Sequence, residues 1–172
     1  ERQRIARELH DETGQSLTFS VVESNLPLNN KQEARTILRT KIREIPFFSQ
    51  LFIFDLTGAP FTGYPADTIE KFGLSSEEEA GIQLALNGVM VQHYIIAPAP
   101  GGNSAVVTFI ASIPDEYGLA TGVVIARTNF SMNLFSQPAV MALENIKGAG
   151  GGGASLDDAN RILFHTNENK LM

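Results

Sequence analysis

The residues best suited to chemistry lie near the amino terminus: His10, Asp11 and Gln15, within Glu1-Arg-Gln-Arg-Ile-Ala-Arg-Glu-Leu-His-Asp-Glu-Thr-Gly-Gln-Ser-Leu17. On a helix, residues three and four apart share a face, so Asp11 and Gln15 stack one turn apart with His10 beside Asp11. A neutral imidazole is a competent nucleophile toward phosphoryl groups near neutral pH, and an adjacent carboxylate can orient it or take its second proton. The amide one turn on could hold a water in line for the reverse hydrolysis. Arg4 and Arg7, one to two turns earlier, could meet phosphate oxygens or face solvent.

The elements around this motif follow from periodicity. Residues 1–25 are good helix formers with Ile5, Leu9 and Leu17 on a partial apolar stripe, and Pro27 with Asn29 and Asn30 breaks the run. A second helix is expected over 31–45, with Ala34, Ile37, Leu38, Ile42 and Ile45 on one side and a stop at Pro46. Residues 51–55 and 59–63 then read as two strands joined by a tight turn at Asp55-Leu-Thr-Gly58. Ser75 or Ser76 can cap a helix running to Asn87, with Glu77, Glu78 and Glu79 suiting its positive end and Gly88 closing it.

Three further strands are expected over 89–97, 105–113 and 119–128, connected by the turn-forming stretches 98–103 and 114–118. Asn129 or Ser131 would open a last helix to about Ile146, which tolerates Pro138 only with a kink or a restart. The glycine run at 148–153 reads as a connector, since no phosphate-loop Lys-Ser/Thr follows it. After it, 154–158 and 161–166 repeat the hairpin logic of 51–63. The fold class is therefore α+β: a five-stranded antiparallel sheet with one face covered by helix, a long amino-terminal helix, and the start of a second, similar subdomain.

Composition sets the outer bounds. The chain has 172 residues, 43% of them hydrophobic, enough for one ordinary core plus an extension. A net charge of −6 argues against nucleic acid, and the basic clusters at 2–7 and 31–43 are interspersed with acids, as on solvated helix faces. With no cysteine there is no disulfide, thiolate catalysis or common structural zinc site, and His10, His93 and His165 have no ligand-type spacing, so no metal is expected. No apolar run reaches the roughly 18–20 residues that span a bilayer. The chain opens on Glu rather than Met and reads as a fragment.

The amino-terminal run resembles the phosphoacceptor helix of two-component sensor histidine kinases, in the subfamily related to the nitrate and nitrite sensors. The shared pattern is Glu-Arg-x-Arg-Ile-Ala-Arg-Glu-Leu-His-Asp followed by Gly-Gln-x-Leu, reproduced here from Glu1 to Leu17, about a tenth of the chain. The resemblance implies His10 as the autophosphorylation site, Asp11 as the base and Gln15 as the residue that places water in the phosphatase reaction. It also implies ATP and Mg as cofactors of the full kinase, a response regulator reached through His10, and a homodimer. The chain itself contains no ATP-binding domain, so it is at most a phosphoacceptor and binds no cofactor of its own.

Residues 31–172 resemble a double Cache sensor module, a PAS-like domain of bacterial histidine kinases and chemoreceptors. The resemblance rests on Ile45-Pro-Phe-Phe48, Leu51-Phe-Ile-Phe-Asp-Leu-Thr-Gly58, Val107 to Pro114 with Asp115 and Gly118, Gly122-Val-Val-Ile-Ala-Arg127 and Leu156-Asp-Asp-Ala-Asn-Arg-Ile-Leu-Phe-His165. It divides the chain into a phosphoacceptor-like helix (1–25), a sensor subdomain with its leading helix (31–130), a linking helix (131–147), and a glycine linker with the first hairpin of a truncated second subdomain (148–172). The family's pocket lies between the sheet and the helical segment crossing it, which makes Tyr64, His93, Tyr94, Tyr117 and Arg127 the candidate ligand-binding residues. The amino-acid-binding branch uses a tryptophan-containing constellation, and this chain has no Trp.

These two resemblances imply different compartments. A phosphoacceptor helix works in the cytoplasm and a Cache sensor normally works outside the membrane, in a parent protein of the inner membrane, yet residues 18–45 contain no spanning segment. A truncated or joined chain is the reading adopted. The expected function is the sensor part of a two-component histidine kinase that responds to a small ligand. The alternative is a non-catalytic ligand-binding domain of a chemoreceptor or other transmembrane receptor.

Overall fold

The computed structural model describes residues 16–18, 20–23, 25–65, 73–96, 105–131, 136–156 and 162–167. His10, Asp11 and Gln15 therefore lie outside the described residues, as do the 98–103 connection and Asn160. Of the expected helix over 1–25, residues 16–18 and 20–22 are described and are helical. The chain divides into two units, residues 1–94 with 108–127 and residues 95–107 with 128–172.

The first unit is built on a five-stranded antiparallel sheet of order β2-β1-β5-β4-β3, from β1 (Gln50–Phe54), β2 (Pro60–Tyr64), β3 (Val91–Ile96), β4 (Val106–Pro114) and β5 (Ala120–Asn129). The distal ends of β3, β4 and β5 continue into the second unit. Each expected strand is present to within two residues, because the turns that bound them are strongly specified. At Asp55 the carboxylate accepts the N–H groups of Thr57 and Ala59 at 2.8 and 3.1 Å, the Asp55 carbonyl accepts Gly58 N–H, and Gly58 sits at φ 78°. At Asp115 the same pattern recurs: the carboxylate takes Tyr117 N–H and Leu119 N–H at 2.8 and 2.9 Å, and Gly118 sits at φ 82°. A left-handed fourth position with an acceptor side chain at the first explains why Asp-x-x-Gly stands at both corners.

Helix α1 (Lys31–Glu44) begins at Asn30, whose side chain accepts Glu33 N–H, and stops at Ile45 ahead of Pro46. Its buried residues, Ala34 and Leu38, lie in the α1 contact with β1 and β2. On that side of the sheet Leu51 and Ile53 are fully buried, and Phe47 and Phe48 close on Phe109 with ring centroids 6.0 and 6.1 Å away. Helix α2 (Ser76–Leu86) covers the other side, where Phe52, Phe54, Ile82, Ala85, Ile110, Val123 and Ile125 form one apolar cluster. The period-2 alternation of β1 and the 3.6-residue period of α2 thus supply the two sides of the core.

The second unit contains α3 (Gln137–Gly148) and the hairpin of β6 (Ala154–Leu156) and β7 (Ile162–His165). Here the last helix departs from expectation. It starts at Gln137 with Pro138 in its first turn, where the missing N–H costs nothing, and not at Asn129 or Ser131. Asn129 ends β5, and its side chain accepts the N–H of Ser131 at 2.9 Å, a local turn in place of a helix cap. The glycine run does more than connect. Gly150 N–H bonds to Lys147 carbonyl and Gly151 N–H to Ile146 carbonyl, with Gly150 at φ 83°, a Schellman stop that closes α3. Two residues on, Gly153 is so close to Leu143 that a Cβ would stand 2.6 Å from its Cδ2.

Candidate functional site

A heavily bonded buried carboxylate belongs to Glu78, on the buried stripe of α2 that continues through Ile82 and Ala85. Ser75 caps the helix by accepting Glu78 N–H, and Glu78 returns a carboxylate oxygen to Ser75 N–H at 3.0 Å, the reciprocal capping box. That explains the local fold of the turn, but the same carboxylate has a second partner. Oε1 accepts Arg127 Nε at 2.7 Å and the Thr108 hydroxyl at 2.8 Å, while Oε2 accepts Arg127 Nη2 at 2.6 Å. Glu78 is 1% exposed and Arg127 7%.

Arg127 is brought here by strand alternation. It is paired in register with Gln50, so its side chain shares the α2 side of the sheet with Phe52 and Ile125. Besides the two-pronged bond to Glu78 it donates from Nη2 to Gly73 carbonyl at 3.0 Å and lies 5.2 Å from the centroid of the Phe52 ring. Its Nη1 has only a long contact, 3.4 Å, with Gln50 Oε1. Two ions out of water are tolerable only when their remaining hydrogen-bonding capacity is filled, and among the described residues no buried side-chain nitrogen or oxygen lacks a partner.

Beside this pair the apolar cover of the sheet opens into a cleft of about 230 Å³. Phe52, Phe54 and Pro60 come from the sheet, Gly73 and Leu74 from the approach to α2, and Glu79 and Arg127 are its charged lining. The cleft has room for a small organic molecule. Apolar walls with a few placed polar groups are the usual makeup of a small-molecule site.

The residues singled out in the sequence fall in different places. Arg127 lines the cleft. Tyr94 is half-buried on the same side of the sheet, where its hydroxyl donates to Gln92 Oε1 and Gln92 Nε2 bonds Gly81 carbonyl at 3.0 Å. His93 points to the other side, exposed, with its ring 6.4 Å from Phe109. Tyr64 lies beside Gln32, Arg35, Thr36 and Arg39 of α1 in a second concavity, and Tyr117 is 80% exposed at the β4–β5 turn. Glu78, Glu79, Thr108, Phe52 and Phe54 carry no role in the sequence reading, which treats Glu77 to Glu79 alike as first-turn acids. The signal that separates Glu78 is its spacing of four and seven residues from Ile82 and Ala85.

Elsewhere, the Thr57 hydroxyl, then the Thr57 and Ala59 N–H groups, hold the exposed Asp55 carboxyl below its ordinary value, with Lys31 adding a smaller attraction and slight desolvation opposing. Among the described residues no group of three His, Asp or Glu side chains is placed to hold a metal ion, and no helix is long and apolar enough to cross a membrane.

Comparison with known proteins gives two kinds of match, one confined to the amino-terminal residues and one over nearly the whole chain. Residues 1–45, about a quarter of the chain, match a family model described as histidine kinase. No curated protein matches. Among solved structures, the ligand-binding domain of the Pseudomonas aeruginosa amino acid chemoreceptor PctC in complex with GABA is similar at TM-score 0.64 and 17% identity, over 97% of this chain and 71% of that one. The ligand-binding domain of the Campylobacter jejuni chemoreceptor Tlp3 in complex with L-norvaline is similar at TM-score 0.57 and 17% identity, over 97% and 66%. That of the Pseudomonas fluorescens chemoreceptor CtaA in complex with L-isoleucine is similar at 0.56 and 16%, over 99% and 66%. The chain thus spans about two thirds of the length of these domains. The fold is PAS/Cache-like, as the sequence motifs imply.

Proposed function

We propose that this chain is the sensing part of a two-component histidine kinase, in which a small molecule held against the sheet by α2 controls signalling through the amino-terminal helix. The observation that carries the sensing half is the cleft beside Arg127: a small apolar cavity with charged groups at its edge, in a fold whose similar structures are ligand-binding domains. The kinase half is supported by the family match over residues 1–45 together with the His10, Asp11 and Gln15 pattern. In this reading His10 accepts the phosphoryl group, Asp11 takes its proton, Gln15 positions water for hydrolysis, and a response regulator receives the phosphoryl group. ATP and Mg belong to the full kinase, which acts as a dimer with the sensor outside the membrane and the phosphoacceptor helix in the cytoplasm.

A second reading has its own support. The similar structures above are chemoreceptor domains, and α1, inside the region that matches the kinase family, packs its Ala34 and Leu38 in contact with β1 and β2. That suits a receptor module in which the leading helices serve as a stalk.

Incubation of the chain with ATP and the ATP-binding domain of a related kinase separates the two. Acid-labile labelling that disappears in His10→Gln supports the kinase reading; equal labelling of the variant refutes it. For the sensing half, a thermal-shift screen of small carboxylates, amines and sugars should raise the melting temperature with at least one class, by the stabilisation any native-state ligand confers.

A further inference from the structure

The charged lining of the cleft has a definite sign. Among the described residues two charged side chains line it, Arg127 and Glu79. Arg127 is largely engaged: Nε and Nη2 are bonded to Glu78, Nη2 also to Gly73 carbonyl, Nη1 at 3.4 Å to Gln50 Oε1, and the guanidinium lies over Phe52. A carboxylate arriving in the cleft could grip the guanidinium with two short bonds only by taking Arg127 from Glu78, leaving a carboxylate that is 1% exposed without its counter-ion. Glu79, one position further on, is on the exposed side of α2, and among the described residues no ion pair engages it. Among the described residues the uncompensated charge at the cleft is therefore negative, over walls formed by Phe52, Phe54, Pro60 and Leu74.

We infer that the cleft selects a small cationic amine with an apolar body over the matching carboxylate, the ammonium group meeting Glu79 and the body lying against Phe54 and Leu74. This rests on the sensing reading above and adds the class of ligand. An aromatic wall also suits a cation, through attraction to the ring quadrupole. The overall charge of −6 works in the same direction at longer range.

Isothermal titration of the full chain with benzylamine, benzyl alcohol and benzoate, and with butylamine, butanol and butyrate, tests the inference. The amines should bind at least about tenfold tighter than the carboxylates. Glu79→Gln should weaken the amines about threefold, the scale of an exposed ion pair, and leave the alcohols unchanged. Glu79→Lys should move the preference toward the carboxylates; because Glu79 is exposed, Glu79→Gln should keep the melting temperature of the parent chain within about a degree and Glu79→Lys, which sets a cation at the helix start, within a few degrees. Carboxylates or alcohols binding as tightly as the amines, or amine binding indifferent to Glu79→Gln, would overturn the selectivity while leaving the cleft a ligand site. Absence of binding by every member of both sets would overturn the cleft reading itself.

Discussion

The two sides of the five-stranded sheet are covered by helices of similar length but built on different chemistry. Under α1, Leu38, Leu51, Ile53, Phe47, Phe48 and Phe109 are apolar and nearly or fully buried. Under α2 an equally apolar cluster ends abruptly at Glu78, Thr108 and Arg127, and the cleft lies where it ends. The α1 side gains its stability from area removed from water and has no use for direction. The α2 side gives up part of that area to hold a guanidinium and a carboxylate in fixed orientation, which an apolar layer cannot do. The difference makes the α2 side the one built to fix the orientation of polar groups, which is what the proposed sensing role asks of it.

Mutation can break this contrast. Arg127→Met should cost most, about 3–5 kcal/mol in urea unfolding, because it strands Glu78 in the core. Adding Glu78→Met should return a large part of that loss, because the buried pair then disappears as a unit; a double variant that loses the sum of both singles would show that the two sides do not differ in kind. Leu38→Ala, on the α1 side, should cost about 2–5 kcal/mol and add to distant changes, as a simple cavity does. Gly81→Ala should cost about 1–3 kcal/mol despite better helix propensity, since the new Cβ would meet Ile110 Cδ1 at 2.6 Å and Tyr94 Cε2 at 2.8 Å.

The smallest effect is expected at Asp55, at the edge of both sides. Its carboxyl is held below the ordinary value of 3.8, so the folded state binds this proton less readily than the unfolded chain. Its contribution is complete above that value and is lost as pH falls through the lower, folded one. Asp55→Asn should flatten this acid limb of the stability curve and leave neutral-pH cleft binding unchanged; an unaltered acid limb would remove Asp55 from the account.

Much of the fold was legible because its punctuation is local. Asp-x-x-Gly at 55–58 and 115–118, Ser75 with Glu78, and Pro46 each act within four residues, and they place β1, β2, β4, β5, α1 and the start of α2. The start of α3 differs from the expected one because Asn129 and Ser131 have good capping side chains but bond to each other in a turn. Arg127 stands among the candidate ligand-binding residues of the sequence, yet its partner does not, since Glu78 lies 49 positions away and no local rule links them. Only the apolar spacing of Glu78 with Ile82 and Ala85 marks it as an acid that must be buried with company.

The pairing of β1 with β5 has a consequence for how the chain is made. Gln50 and Arg127 are register partners 77 positions apart. At about 5–20 residues per second of synthesis, β1 is complete for roughly 4–15 s before its central partner exists. Through that interval the run Leu51-Phe52-Ile53-Phe54 presents an open row of N–H and C=O groups on one edge. That edge of β1 is therefore open to wrong pairing until the residues up to Arg127 have been made.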